Sequence, residues 1–269
     1  MDNRPIGFFD SGLGGLTCIP YLMNSLPNER IIYFGDTART PYGSKAIGTI
    51  KGFASEITDF LVKEDVKMIV IACNTVSSTC LNELRELHPE LPILGIISPA
   101  ARKVSEKCNV GNHIGIIGTK VTIKSEAYRK EVLDRNKDLD IYETACPVFV
   151  PLIEEGIIEN DIMDLSIKYY LDHFLKYNSI DTLVLGCTHY PLIRKNIEKL
   201  YPKLDIIDPS EEVILAIDEC LSESGLYSPA SQGSNTFYAS DLSENFVNMI
   251  NRIFKNTGFT VAFKSFDIT

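Results

Sequence analysis

A chain of 269 residues, 45% hydrophobic and 23% charged, has the makeup of a globular protein that buries one large core or two modest ones. A formal net charge of −10 argues against a nucleic-acid partner, because phosphate binding needs clustered Lys and Arg. The opening MDNRPIGFFDSG lacks the basic and apolar regions of a signal peptide, and no apolar run approaches the ~18 residues of a membrane span, so the expected setting is the cytoplasm, away from any membrane.

Residues 6–9 read as a first apolar strand, and Asp10-Ser11-Gly12-Leu13-Gly14-Gly15 as the turn after it. Leu16, Ile19 and Leu22 then give a helical face. A glycine-rich turn feeding a helix cradles anions, but this one matches neither GxGxxG nor the P-loop with its Lys, so a nucleotide site is not indicated. Residues 31–34 are a second strand. The loop 35–44, GDTARTPYGS, is rich in hydroxyls and turn residues without apolar periodicity. It reads equally as the lining of a site or as a surface turn fixed by Pro41 and Gly43. Ile47, Ile50, Phe53, Ile57, Phe60 and Leu61 have helical spacing.

Met68-Ile69-Val70-Ile71-Ala72 has the signature of a strand buried on both faces of a parallel sheet. It delivers Cys73-Asn74-Thr75 to the corner before the next helix (Val76, Leu81, Leu84, Leu87), which is where doubly wound sheets bind ligands. A strand at 93–97 and a helix from Pro99 follow. Residues 113–119, HIGIIGT, resemble the chain's opening, an apolar strand with an early glycine and then a small polar turn. Residues 146–155, CPVFVPLIEE, carry two prolines and are expected to run extended. A long helix covers 161–177. Then 182–192, TLVLGCTHYPL, repeats the strand-and-cysteine design with Cys187-Thr188-His189 at the corner. A helix to about Leu200, a strand and turn at 206–210, and a tail of helix (211–224), strand (235–238), helix (243–254) and strand (259–263) complete the chain, with a Gly/Ser/Pro loop at 224–234. The recurring order of strand, turn and cysteine corner predicts an internal repeat, two α/β lobes of related plan, against the alternative of chance likeness between buried strands.

Seven scattered cysteines, an odd number with no CxxC, indicate reduced thiols rather than a disulfide framework or a structural zinc site. Cys18, Cys80, Cys108, Cys146 and Cys220 lie in apolar patterns and read as buried small hydrophobes. His88, His113 and His173 receive no role. Cys73 and Cys187 stand apart because their settings match. A free thiol has a pKa of about 8.5, and a helix N-terminus pushes it toward the reactive thiolate. His189, two residues after Cys187, adds to that push, and Asp10 is placed to do the same beside Cys73. One activated cysteine suggests acyl transfer. Two in mirrored corners suggest an acid and a base on opposite faces of one carbon, which inverts it. The residues of these corners and turns offer hydroxyls, an amide and glycine N–H groups but a single guanidinium, Arg39, so an anionic ligand would be held by neutral donors.

DSGLGGL, FGDTARTPYG, ACNT and LGCTHYPL, in this order, resemble the glutamate racemases of the cofactor-independent aspartate/glutamate racemase superfamily, and the likeness runs through nearly the whole chain. The resemblance implies two pseudo-symmetric, doubly wound α/β lobes with mostly parallel sheets and the active site in the cleft between them. Residues 1–98 with 209–269 would form the first lobe and 99–208 the second. It implies Cys73 and Cys187 as catalytic acid/bases without pyridoxal phosphate or metal, Asp10 and His189 tuning them, and Glu154 near the second. It further implies Asp10, Ser11, Pro41, Tyr42, Gly43, Asn74, Thr75, Thr119, Thr122 and Thr188 as the lining of a glutamate pocket. The implied product, D-glutamate, serves peptidoglycan synthesis. Ile97-Ser98-Pro99 departs from the family pattern, in which a carboxylate usually precedes the proline. A homodimer is expected, since lobes that open and close often use a dimer contact to set the hinge. Three other readings stay open at this stage: a racemase of a neighbouring substrate such as aspartate, a non-catalytic two-lobe binder of small dicarboxylates, and a cysteine redox switch, which would need the two Cα atoms within about 7 Å.

Overall fold

The computed structural model describes residues 1–230, 233–254 and 258–266. Its first four strands are β1 (Ile6–Asp10), β2 (Ile31–Gly35), β3 (Met68–Ile71) and β4 (Ile93–Gly95). The next four are β5 (His113–Gly118), β6 (Asp140–Ala145), β7 (Thr182–Gly186) and β8 (Asp205–Ile207), and the tail adds β9 (Asn235–Ala239) and β10 (Phe259–Phe263). They form one six-stranded sheet, β10-β9-β2-β1-β3-β4, and one four-stranded sheet, β6-β5-β7-β8, and every strand pairing is parallel.

The segment β2-β1-β3-β4 and the sheet β6-β5-β7-β8 share one strand order, so the internal repeat is present in the topology. β1, β3 and β7 are buried at every residue, as their unbroken Ile, Val, Leu and Phe content requires of parallel strands covered by helices on both faces. The order in which strands are added to the sheet reverses between β1 and β3 and again between β5 and β7. The crevice outside the carboxyl ends of such a pair is where open α/β sheets bind ligands. Asp10 and Cys73 stand at the first switch point; Thr119 and Cys187 stand at the second.

The helices Ile97–Lys107 and Pro209–Ser224 lie at the junction of the two sheets, where Ala100, Val104, Val213 and Ile217 join Phe8 and Val70 of one sheet and Ile116 and Val184 of the other in a continuous buried cluster. The break expected at 98/99 thus falls inside a helix. β9 and β10 extend the first sheet along the free edge of β2.

Several local expectations are corrected. Residues 146–155 do not run extended: Phe149–Glu154 is a helix burying Phe149, Val150 and Ile153. Pro151 is tolerated there because it falls in the first turn, where the missing N–H has no intrahelical partner. The strand at 93–97 stops at Gly95, and Ile97 already begins the next helix. The helices after Gly14, Cys73 and Cys187 are each broken in two, with 3-10 turns at Gly14–Cys18 and Tyr190–Ile193 and a break at Cys80. The loop 35–44 holds two 3-10 turns, and of the 224–234 loop residues 231 and 232 lie outside the described ones. β6 and the helix Ala127–Arg135 carried no clear apolar period and were not expected. Cys18, Cys80, Cys108 and Cys146 are buried as expected, whereas Cys220 is only half-buried; all seven thiols are free.

Candidate active site

The first corner is shaped by turn chemistry. Asp10 Oδ1 accepts the Gly12 N–H at 3.1 Å, and the Tyr33 hydroxyl donates to the Gly12 carbonyl at 2.9 Å, so DSG turns tightly off β1. A Cβ on Gly15 would lie 2.6 Å from Asp10 Cβ and 2.8 Å from Tyr33 Oη, which explains the glycine there. Cys73 caps the helix Asn74–Thr79, and its thiol donates to Ser11 Oγ at 3.5 Å. Asp10, Ser11 and Cys73 are therefore one cluster, and all are buried.

At the second corner His189 stands between two expected partners. Its Nδ1 is 3.8 Å from Cys187 Sγ, and its Nε2 is 2.6 Å from Glu154 Oε1. The helix Phe149–Glu154 is what aims Glu154, and the Asn245 amide donates to the Glu154 carbonyl at 2.6 Å from the C-terminal helix Glu244–Phe254. The two corners also touch each other. Thr188 Oγ1 donates to Asp10 Oδ2 at 3.1 Å, and a Cβ on Gly14 would lie 2.5 Å from both His189 Nδ1 and Thr188 Oγ1.

Burial dominates the electrostatics of the first corner. Burial, followed by the charge of Asp10, pushes Cys73 up to about 12, against small opposing bonds from Ser11 and the Val76 amide. Cys73 is accordingly a neutral thiol at pH 7. Burial also raises the Asp10 carboxyl, opposed by the charge of His189 and by bonds from Gly15, Thr188 and Gly12. For His189, burial works against the charged ring, but the bonds and charges of Cys187 and Glu154 outweigh it and carry the imidazole up to about 10.

The remaining expected residues divide. Thr75 meets Thr119 at 3.1 Å and Thr122 at 3.4 Å, and Thr119 meets Thr122 at 3.0 Å, three hydroxyls joining the two halves. Gly43 packs on Thr119, leaving no room for a Cβ. Tyr42 is buried but its hydroxyl is given to Asp36 rather than left free, and Pro41 is exposed, outside the buried cluster. Asp36 also accepts from Arg39 Nε at 2.7 Å and Ser240 Oγ at 2.7 Å, tying this loop to the C-terminal tail. Arg39 makes a second contact to Glu56 at 2.6 Å and sets its guanidinium 4.0 Å above the Phe53 ring, while its buried Nη2 has no hydrogen-bond partner among the described residues. Tyr33, Asp36, Asn245 and Tyr128, whose hydroxyl donates to Asn74 Oδ1 at 2.5 Å, shape the site and were not foreseen. Of these only Asp36, inside GDTAR, sat in a segment already singled out. Among the described residues no group of three His, Cys, Asp or Glu side chains is arranged to hold a metal ion, and no helix is long and apolar enough to cross a membrane.

The chain matches known proteins over almost all of its length. It is 41% identical over 254 residues to a glutamate racemase of Geobacter metallireducens, covering 94% of this chain and 93% of that one. It is 47% identical over 211 residues to a glutamate racemase of Sulfurihydrogenibium sp., covering 78% and 80%. The crystal structure of glutamate racemase from Francisella tularensis in complex with D-glutamate superimposes with a TM-score of 0.91 at 37% identity, over 100% of both chains. The family profile of Asp/Glu/Hydantoin racemase matches residues 18–216, from Cys18 through the second cysteine corner, and the chain belongs to that racemase family.

Proposed function

We propose that the chain interconverts L- and D-glutamate by carrying a proton across Cα between two thiols, Cys73 and Cys187, and that its D-glutamate feeds peptidoglycan synthesis. The observation that carries this reading is the equivalence of the two corners. Each thiol follows the third strand of the same strand order, and each has a carboxylate acting on it: Asp10 through its charge for the first, and Glu154 through its bond to His189 for the second. Acyl transfer needs one such corner. Glutamate is favoured over aspartate because the relatives that match nearly end to end are glutamate racemases, one of them determined with D-glutamate.

In the L-to-D direction Cys187, as thiolate, takes the Cα proton, and the electron pair of the broken C–H bond stays on Cα beside the α-carboxylate. The Cys73 S–H bond then breaks and its proton goes to the opposite face. D-Glutamate leaves with Cys187 as thiol and Cys73 as thiolate, and the reverse direction starts from that state. The assignment of Cys187 to L-glutamate and Cys73 to D-glutamate rests on the family resemblance. The electrostatics suit the L-to-D start: Cys73 stays protonated up to about 12, and the His189 imidazolium, held up to about 10, sits where it supports a thiolate on Cys187. The substrate's carboxylates are received by hydroxyls and amides, while Arg39 holds Asp36 through Nε and Glu56 through Nη1.

The test is incubation of the purified protein with L-glutamate in D2O. Decay of optical activity with deuterium appearing at Cα of both enantiomers is the expected result. Turnover of aspartate in place of glutamate would shift the substrate, and binding without exchange would leave a two-lobe binder.

A further inference from the structure

Asn74 directly follows Cys73 and is 2% exposed, yet the two ends of its amide are treated differently. Oδ1 accepts the Tyr128 hydroxyl at 2.5 Å, while Nδ2 has no hydrogen-bond partner among the described residues. A buried amide N–H left unpaired is costly and calls for an explanation. Tyr128 comes from the helix Ala127–Arg135 and is fully buried. A Cβ on Gly186 would lie 3.2 Å from its Cε2, so the Tyr128 ring packs on the residue before Cys187 while its hydroxyl holds the residue after Cys73. Burial keeps the phenol protonated far into the alkaline range, so the hydroxyl remains a donor. Flipping the amide would leave the phenolic hydrogen without an acceptor, and the orientation of Asn74 is thereby set.

We propose that Tyr128 is a positioning residue for substrate binding: by holding Oδ1 of Asn74 it presents the unpaired Nδ2 as a fixed donor to a carboxylate of the bound amino acid. The role rests on the glutamate-racemase reading and adds to it a residue that no motif contains. The bond joins a residue of the Cys73 corner to one packed on the Cys187 corner, so the donor is set only while the two corners face each other as they do here.

The test is a double-mutant cycle read in KM and kcat for both enantiomers. Tyr128→Phe should raise KM about tenfold with kcat within about twofold, the loss expected of one hydrogen bond to a charged group. In an Asn74→Ala background the same change should alter KM by less than about twofold, because nothing is left to position. Replacing Tyr128 by p-aminophenylalanine keeps a donor on the ring and should return KM to within about threefold of wild type. The proposal is overturned by an unchanged KM in Tyr128→Phe, by an equal effect in both backgrounds, or by a raised KM with the p-amino ring. Should Tyr128→Phe not fold, the p-amino variant and Asn74→Ala still decide, since a wild-type KM in Asn74→Ala sinks the idea. A wild-type protein inert toward glutamate would instead remove the functional reading itself.

Discussion

Thr188 Oγ1 donates to Asp10 Oδ2 at 3.1 Å, and this bond spans the two sheets: Asp10 ends β1 and Thr188 follows β7. One side chain thus belongs both to the wall around the second thiol and to the carboxylate that raises the first. Replacing Thr188 by Val should raise KM for both enantiomers by tenfold or more, since a hydrogen bond to a charged group contributes about 1.5–3 kcal/mol. Steady-state kinetics check this, and an unchanged KM would take Thr188 out of the site.

Cys73→Ala and Cys187→Ala should each abolish racemisation, because abstraction without a proton from the far face returns the starting isomer. A substrate analogue with a β leaving group separates the two roles, as elimination needs one base and no returning proton. Each variant should keep elimination for one enantiomer only, with opposite preferences. If both favoured the same enantiomer, the facing-thiol geometry would be wrong.

Glu154→Gln should weaken the support of His189 and lower kcat/KM by about tenfold or more, the scale of one charge-assisted bond. Enantiomers are equal in free energy, so the equilibrium constant is unity and kcat/KM must fall by the same factor in both directions. β-Elimination is free of that constraint. Of the two enantiomers of the analogue, the one processed by Cys187 should lose the more, and equal losses would contradict the assignment of His189 and Glu154 to that thiol.

The raised pKa of His189 also has a consequence for stability. The folded protein keeps the ring protonated up to about 10, whereas an unfolded chain releases that proton near the ordinary imidazole value of 6.5. Between these values the native state binds more protons, so its stability falls with rising pH; the contribution is full below 6.5 and lost through about 10. Melting temperature measured across this window should decline, and the decline should be shallower in His189→Asn. An equal slope in the variant would place the alkaline loss elsewhere.

Glycines should divide sharply under substitution by Ala. Gly14→Ala has no room, with His189 Nδ1 and Thr188 Oγ1 at 2.5 Å, and should cost at least about tenfold in activity by forcing the corners apart. Gly52, inside the helix Ile47–Lys63 with nothing within 4 Å of an added Cβ, should instead stabilise by about 0.5–1 kcal/mol. Circular dichroism with parallel activity assays distinguishes the two.

Much of this protein is written locally. β1, β3 and β7 were legible because a strand covered on both faces must be an unbroken apolar run, and their cysteine or aspartate corners follow directly in the chain. The repeat was legible for the same reason, since the same pattern of buried strand, turn and thiol occurs twice. The helix Phe149–Glu154 was not, because two prolines obscure a period that only the burial of Phe149 and Ile153 reveals. Edge strand β6 escaped too, half-exposed and with polar residues among its apolar ones. Which side chains meet was decided by tertiary structure alone. Thr188 reaches Asp10, Tyr128 reaches Asn74, and Thr75 reaches Thr119 across long stretches of sequence. Hydrogen bonds of that kind depend on how two separate sheets are set against each other, and the packing of Phe8, Val70, Ile116 and Val184 around the joining helices fixes that setting without leaving a local pattern in the chain.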